Sequence, residues 1–260
     1  MYKFLAVFLF ILVLQSCSEY AIVVKADDYK RKFEVANKLY DKESYIKAST
    51  LYEQVYQRTP KTGEGEISYY RLGLSYYKLE DYYTAAYYLA SFSDKYPNSI
   101  KCEETAFLNA ICAVKNSPKS SLDQEETQVA LNELQLFIYK FPSTTRLDTC
   151  NQIMDKLRMK LDSKDFESLQ LYDKTQNYKS AVVVAETYIK DYPKSIYREQ
   201  AWEILIRNSY LLAINSIEEK NMVRIEQTKE RYSKFALEYP QSVWLKTLGE
   251  NLEKLREVKF

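Results

Sequence analysis

Catalysis needs a nucleophile, a base and a group to orient them, and side chains that could fill those roles are sparse in this chain. Two carboxylate pairs, Glu103-Glu104 and Glu125-Glu126, come nearest to an acid–base couple. Adjacent residues on a helix point about 100° apart, so neither pair converges on one substrate, and charge runs of this kind are usually a solvated face. The chain has no His, which removes Ser-His and Cys-His nucleophiles and the usual zinc ligand sets. Of its 4 Gly, the only close pair, Gly63 and Gly65, forms no phosphate cradle. A net charge of +1 offers nothing to nucleic acid. No catalysis, cofactor or metal site is expected.

The thiols are more informative. MYK is followed by the apolar run FLAVFLFILVL, which ends in Leu14-Gln15-Ser16-Cys17. Eleven apolar residues suit a signal-peptide core and are too short for a membrane-spanning helix, which needs about 20. Leu three before the Cys and a small residue just before it resemble a bacterial lipobox, with Gln15 a departure from the commoner small or apolar residue. The resemblance implies cleavage before Cys17, loss of residues 1–16, and lipidation of the Cys17 thiol and its new amino group. Several acyl chains anchor a protein stably where one does not. Ser18, rather than Asp, follows the Cys, which by the same resemblance directs the protein to the outer membrane. Losing Lys3 leaves 36 basic and 36 acidic side chains, a net charge of zero. Residues 17–28 read as a flexible lipidated linker.

Cys102 and Cys112 are expected on one helix, about 15 Å apart and out of disulfide reach. Either could meet Cys150 in an oxidising periplasm, but free, buried thiols are the better expectation.

The elements around these residues repeat. FSDKYPNSIK, FIYKFPSTTR, YIKDYPKSIY and FALEYPQSVW end four apolar-striped segments with aromatic-Pro, and a fifth segment ends at Pro60. Pro60, Pro97, Pro142, Pro193 and Pro240 lie 37, 45, 51 and 47 residues apart. Twelve residues before them stand Ala48, Ala85, Ala130, Ala181 and, as the one departure, Thr228. Tyr45, Tyr82 and Tyr178 precede three of those alanines by three. Periods of this size mean stacked helical pairs. In the second unit Leu72-Gly73, Tyr76, Ala85, Leu89, Phe92 and Pro97 resemble the tetratricopeptide repeat (TPR), with Tyr69 where that family has Trp. Small residues sit where two helices cross closely, larger ones fill the space around them, and proline ends the second helix.

The other units are looser. Ala36 takes the Gly73 place in the first. The third has a hydrophilic break, KNSPKSSLDQEE, and the fourth a long first half that allows two helices. In the fifth, ILIRNSY aligned with RLGLSY puts Arg207 in the place of Gly73. VVVA at 182–185 lies in helical register. A final amphipathic helix presents Trp244, Leu248, Leu252 and Leu255 on one face, as a solenoid cap should. The expected fold is all-α: a right-handed α-solenoid of about five TPR-like hairpins over residues 29–260.

First helices line the concave groove of such a solenoid. Phe33, Asn37 and Tyr40 in unit one, and Tyr70, Leu74 and Tyr77 in unit two, lie off the core stripe. Aromatic stripes are usually core, but unit two carries a second one, a candidate peptide groove. Repeat number, lipobox and helix ends together resemble the TPR lipoprotein of the outer-membrane β-barrel assembly machinery, the BamD family. That resemblance implies a non-enzymatic scaffold on the periplasmic face of the outer membrane. It would bind aromatic-rich segments of unfolded outer-membrane proteins with its N-terminal units and the POTRA domains of the barrel insertase with its C-terminal units. A TPR lipoprotein adaptor for envelope maintenance, serving Tol-Pal or peptidoglycan synthesis, is the alternative. It usually brings an N-terminal coiled coil, and no heptads precede Tyr29. A glycan-uptake lipoprotein would need a larger, Gly-rich ligand domain.

Overall fold

A computed structural model describes residues 19–257. Residues 1–16, Cys17 and its lipidation lie outside them. Every regular element among the described residues is helical. They are α1 (Tyr29–Asp41), α2 (Tyr45–Arg58), α3 (Gly63–Lys78), α4 (Tyr82–Ala90), α5 (Phe92–Lys95), α6 (Cys102–Asn116), α7 (Glu125–Lys140), α8 (Leu147–Lys174), α9 (Tyr178–Asp191), α10 (Arg198–Ile214), α11 (Glu218–Glu238) and α12 (Leu245–Glu257). The chain forms two compact units that part between Asp155 and Lys156, inside α8.

In the first unit α1 packs on α2, α2 on α3, α3 on α4, α4 on α6 and α6 on α7. In the second α9 packs on α10, α10 on α11, and α12 on both α10 and α11. Packing runs mostly between helices close in chain order, as in helical repeats. The small positions hold the crossings: Ala48, Ala85, Ala130, Ala181 and Thr228 are all 0% exposed. At Gly73 a methyl group would stand 3.1 Å from Leu89 Cδ2 and 3.3 Å from Tyr88 Cβ, so α3 and α4 meet there with no room to spare.

Two kinds of punctuation recur. Within three pairs the first helix ends on a left-handed residue: Glu43 (φ 58°), Glu80 (φ 60°) and Gln176 (φ 56°). The next N–H reaches back to close the last turn, Ser44 to the Leu39 carbonyl, Asp81 to Tyr76 and Asn177 to Tyr172, a Schellman closure without its usual glycine. Asp81 and Asn177 then cap the following helix by accepting from the Thr84 and Ser180 N–H groups. Between pairs, the residue before each proline has left the helix. Thr59, Tyr96, Phe141, Tyr192 and Tyr239 have φ between −118° and −134°.

The residue two past each proline completes the turn. Thr62, Ser99, Thr144, Ser195 and Ser242 donate their N–H to the carbonyl of the residue before that proline. Three of these hydroxyls also donate to a carboxylate of an earlier first helix: Ser99 to Glu66 (2.6 Å), Thr144 to Glu103 (2.7 Å) and Ser195 to Asp162 (2.9 Å). The repeated Pro-x-Ser/Thr signal therefore stops one helix and ties the turn to its neighbour.

Four expectations change. The stretch read as a flexible linker is ordered from residue 19. It forms a helical turn at 19–23, and Val23, 1% exposed, is buried with Val35, Ala36 and Leu51. The first half of unit four is one helix of 28 residues, not two. Ile206, 1% exposed, and not Arg207, takes the Gly73 place, because it lies thirteen residues past Pro193 as Gly73 lies thirteen past Pro60. Trp244 falls just before α12, whose Leu248 and Leu255 are buried. VVVA is helical, inside α9.

Candidate functional site

The six groove candidates divide into those that meet and those that do not. On α1, Asn37 Oδ1 accepts from the Tyr52 hydroxyl and from Arg71 Nη1 of α3, both at 2.8 Å. Arg71 Nη1 also donates to the Tyr52 hydroxyl, at 3.1 Å, and its guanidinium lies 5.1 Å from the centre of the Tyr40 ring, within cation–π range. Tyr40 meets Tyr45 and Tyr52 edge to face. Arg71 thus joins Asn37 and Tyr40 into one half-buried patch across α1, α2 and α3.

The other four stand apart from that patch. Phe33 is half-buried against the first core, with Val35 and Leu39. Leu74 is half-buried between the Phe92 and Leu89 clusters. Tyr77 is half-buried and packs edge to face on Tyr82. Tyr70 is the most enclosed, 9% exposed, against Phe92 and with Lys101 Nζ 4.2 Å over its ring. The core stripe is as expected: Tyr69 and Leu72 are buried and Tyr76 stacks on Tyr88.

Burial dominates the electrostatics of this region. It pushes the Tyr52 hydroxyl up to about 12, against the opposing pull of Arg71. It raises Tyr40, with Tyr45 adding to the effect, and raises Tyr70 further, aided by the Glu104 carboxylate beside it. These hydroxyls stay neutral donors at any physiological pH. Arg71 forms no ion pair among the described residues. Its hydrogen-bond partners are neutral, and the Asp41 carboxylate acts on it only at a distance, which leaves it able to take an external carbonyl or carboxylate.

The second unit treats the same helix end differently. Tyr40, Tyr77 and Asp173 all stand three residues before a left-handed turn residue. Asp173 is taken by Arg207 through two bonds (2.8 and 3.0 Å) and by Asn208 (2.7 Å), while Glu203 holds the other side of Arg207 at 2.6 Å. Burial alone would raise Asp173, but Arg207 and Asn208 bring it below the usual carboxylate range. That face is ionic and pairs its own charges, although among the described residues the Asn208 side-chain oxygen is buried without a partner, whereas the first unit's face is aromatic and its Arg71 forms no direct ion pair among them.

Sequence reasoning missed Arg71, Tyr52, Lys101 and Glu104. A lone Arg inside the run YYRLGLSYY was the available signal. Cys102, Cys112 and Cys150 are free thiols, all in the first unit. Burial pushes Cys112 up to about 12 and raises Cys150, so neither is a ready nucleophile.

Consecutive helical pairs with small residues at each crossing define a TPR-type repeat protein, a scaffold class of fold. The model of the YfiO family, described as outer membrane lipoprotein, matches residues 25–224, and the chain belongs to that family. No curated protein matches it in sequence. Among solved structures it is similar to a Podosopora anserina kinesin light chain of nearly identical TPR-like repeats. Identity there is 16%, over 79% of this chain and 94% of that one, with a TM-score of 0.34, too loose to carry an inference.

Proposed function

We propose that the protein is a non-enzymatic scaffold of outer-membrane β-barrel assembly, anchored by lipid on Cys17 at the periplasmic face. In this reading the first unit receives extended, aromatic-rich segments of unfolded barrel proteins, and the second holds the POTRA domains of the barrel insertase. Membership of an outer membrane lipoprotein family is the observation that carries the assignment. The client-binding half is supported by the Tyr40–Arg71–Asn37 patch with Tyr77 beyond it. Tyrosines give large contact area at low entropic cost, and Arg71 adds a cation without a direct ion pair among the described residues, for a main-chain carbonyl or a carboxylate.

The test is the affinity of a fluorescent peptide with alternating aromatic residues for Tyr40→Ala/Tyr77→Ala protein. Binding should weaken about tenfold, roughly 1.4 kcal/mol, with helicity and melting temperature close to wild type. Tyr70 is unsuitable for this test because it is buried on Phe92. If binding and stability fall together, the tyrosines are core and the groove reading fails.

A further inference from the structure

We propose that the first helical pair carries a phosphoryl-binding site for the headgroup of an anionic lipid. The inference rests on Cys17 being the anchor. A cavity of 340 Å³ opens where the segment before α1 passes over α2, lined by Lys25, Asp27, Tyr29, Lys32, Gln54 and Arg58 among others. Lys32 is the anomaly. It is only 4% exposed, and its ammonium donates to the Val24 carbonyl (3.2 Å) and Gln54 Oε1 (2.7 Å), both neutral. One of its three N–H donors has no partner among the described residues. Lys32 Nζ and the Arg58 guanidinium lie 5.0 and 5.9 Å from the same Tyr29 ring.

Lys25, Lys32 and Arg58 form no ion pair among the described residues, and neither does Asp27, the carboxylate in the lining. A buried charge is ordinarily compensated. Here the ammonium has hydrogen bonds but no ion pair among the described residues, and two exposed cations outnumber the one carboxylate, Asp27, in its cavity. An oxyanion with several acceptors, such as a phosphate diester or monoester, satisfies that set.

Position argues for lipid as the source. Lys25 is eight residues from Cys17, so no more than about 28 Å of extended chain separates them. Ile22, 65% exposed, stands on the helical turn between, an apolar residue where the chain would meet a bilayer.

The experiment titrates the mature lipoprotein in neutral detergent with short-chain phosphatidylglycerol, short-chain phosphatidylcholine and inorganic phosphate, read by calorimetry. Lys32→Met is expected to loosen the fold, so the exposed pair carries the test. Lys25→Gln/Arg58→Gln should weaken phosphatidylglycerol binding about tenfold without changing circular dichroism, and added salt should weaken binding to wild type. Phosphatidylcholine should bind far more weakly. Equal affinity of the variant, or equal binding of both lipids, overturns the site. Binding of inorganic phosphate without phosphatidylglycerol overturns the lipid assignment in favour of a soluble anion. Peptide binding by the α1–α3 face is untouched by these substitutions, so failure here leaves the scaffold reading standing.

Discussion

At the scale of residues, backbone strain and close packing set the sensitive points. Glu43 and Glu80 occupy the left-handed region, which costs an L-residue about 1–2 kcal/mol. Glycine removes that cost but gains roughly 0.5–1 kcal/mol of unfolded-state freedom. Relief wins by a small margin, so Glu80→Gly should raise the melting temperature by about 2–4 °C in a thermal scan; a fall would mean that Glu80 makes a stabilising contact in place of strain. Gly73→Leu should act the other way. Its Cβ alone would press on Leu89 and Tyr88, and overpacking of this kind costs about 1–3 kcal/mol. An unchanged melting temperature would show that α3 and α4 separate freely. Tyrosines give a pH limit. Burial pushes Tyr52, Tyr88 and Tyr96 up to about 12, above the free value of about 10. A raised folded value means stability fully present below pH 10 and lost as pH climbs towards 12. Urea midpoints should fall across that window alongside the rise of tyrosinate absorbance. A flat midpoint would contradict the burial of those hydroxyls.

At the scale of elements, much was legible because each repeat writes its boundaries in residue types with fixed backbone consequences. Proline forces the preceding residue out of the helix, so all five pair boundaries could be placed from Pro60, Pro97, Pro142, Pro193 and Pro240. Alanine twelve residues earlier marks four of the crossings, because only a small side chain fits where two helices meet closely, and Thr228 takes the fifth. Less legible were features set by tertiary contacts. Val23 belongs to the first core, yet nothing in SEYAIVVKAD distinguishes it from a linker residue. In α10 the pair Ser209-Tyr210 imitates Ser75-Tyr76 and shifts the sequence alignment by one residue, while the distance from Pro193 points to Ile206. The patch around Arg71 depended on Tyr52, which the sequence offers only as one more core-striped tyrosine. The turns themselves make a graded prediction. Ser195 touches Asp162 and Tyr188 and accepts the Tyr197 N–H, whereas Ser242 accepts only the Trp244 N–H among its side-chain bonds. Ser195→Ala should therefore cost about 1–3 kcal/mol, and Ser242→Ala clearly less, by chemical denaturation. Equal costs would show that the bridge to the acid contributes nothing.

At the scale of the whole molecule, this TPR-type chain belongs to the outer membrane lipoprotein family YfiO, and the barrel-assembly role proposed above adds a lipid anchor and partners to that. Anchoring and partnership are separate parts of that claim. Cys17→Ser should shift the protein from the membrane to the soluble fraction, and retention of the variant would remove the lipid anchor from the account. Partnership is tested most directly by mild-detergent purification of C-terminally tagged protein from its native outer membrane, with co-purifying chains identified by mass spectrometry. The account predicts a stoichiometric large β-barrel protein carrying repeated periplasmic domains. Peptidoglycan synthases or Tol-Pal components in its place would contradict the assembly role and assign the same helical repeats to envelope maintenance.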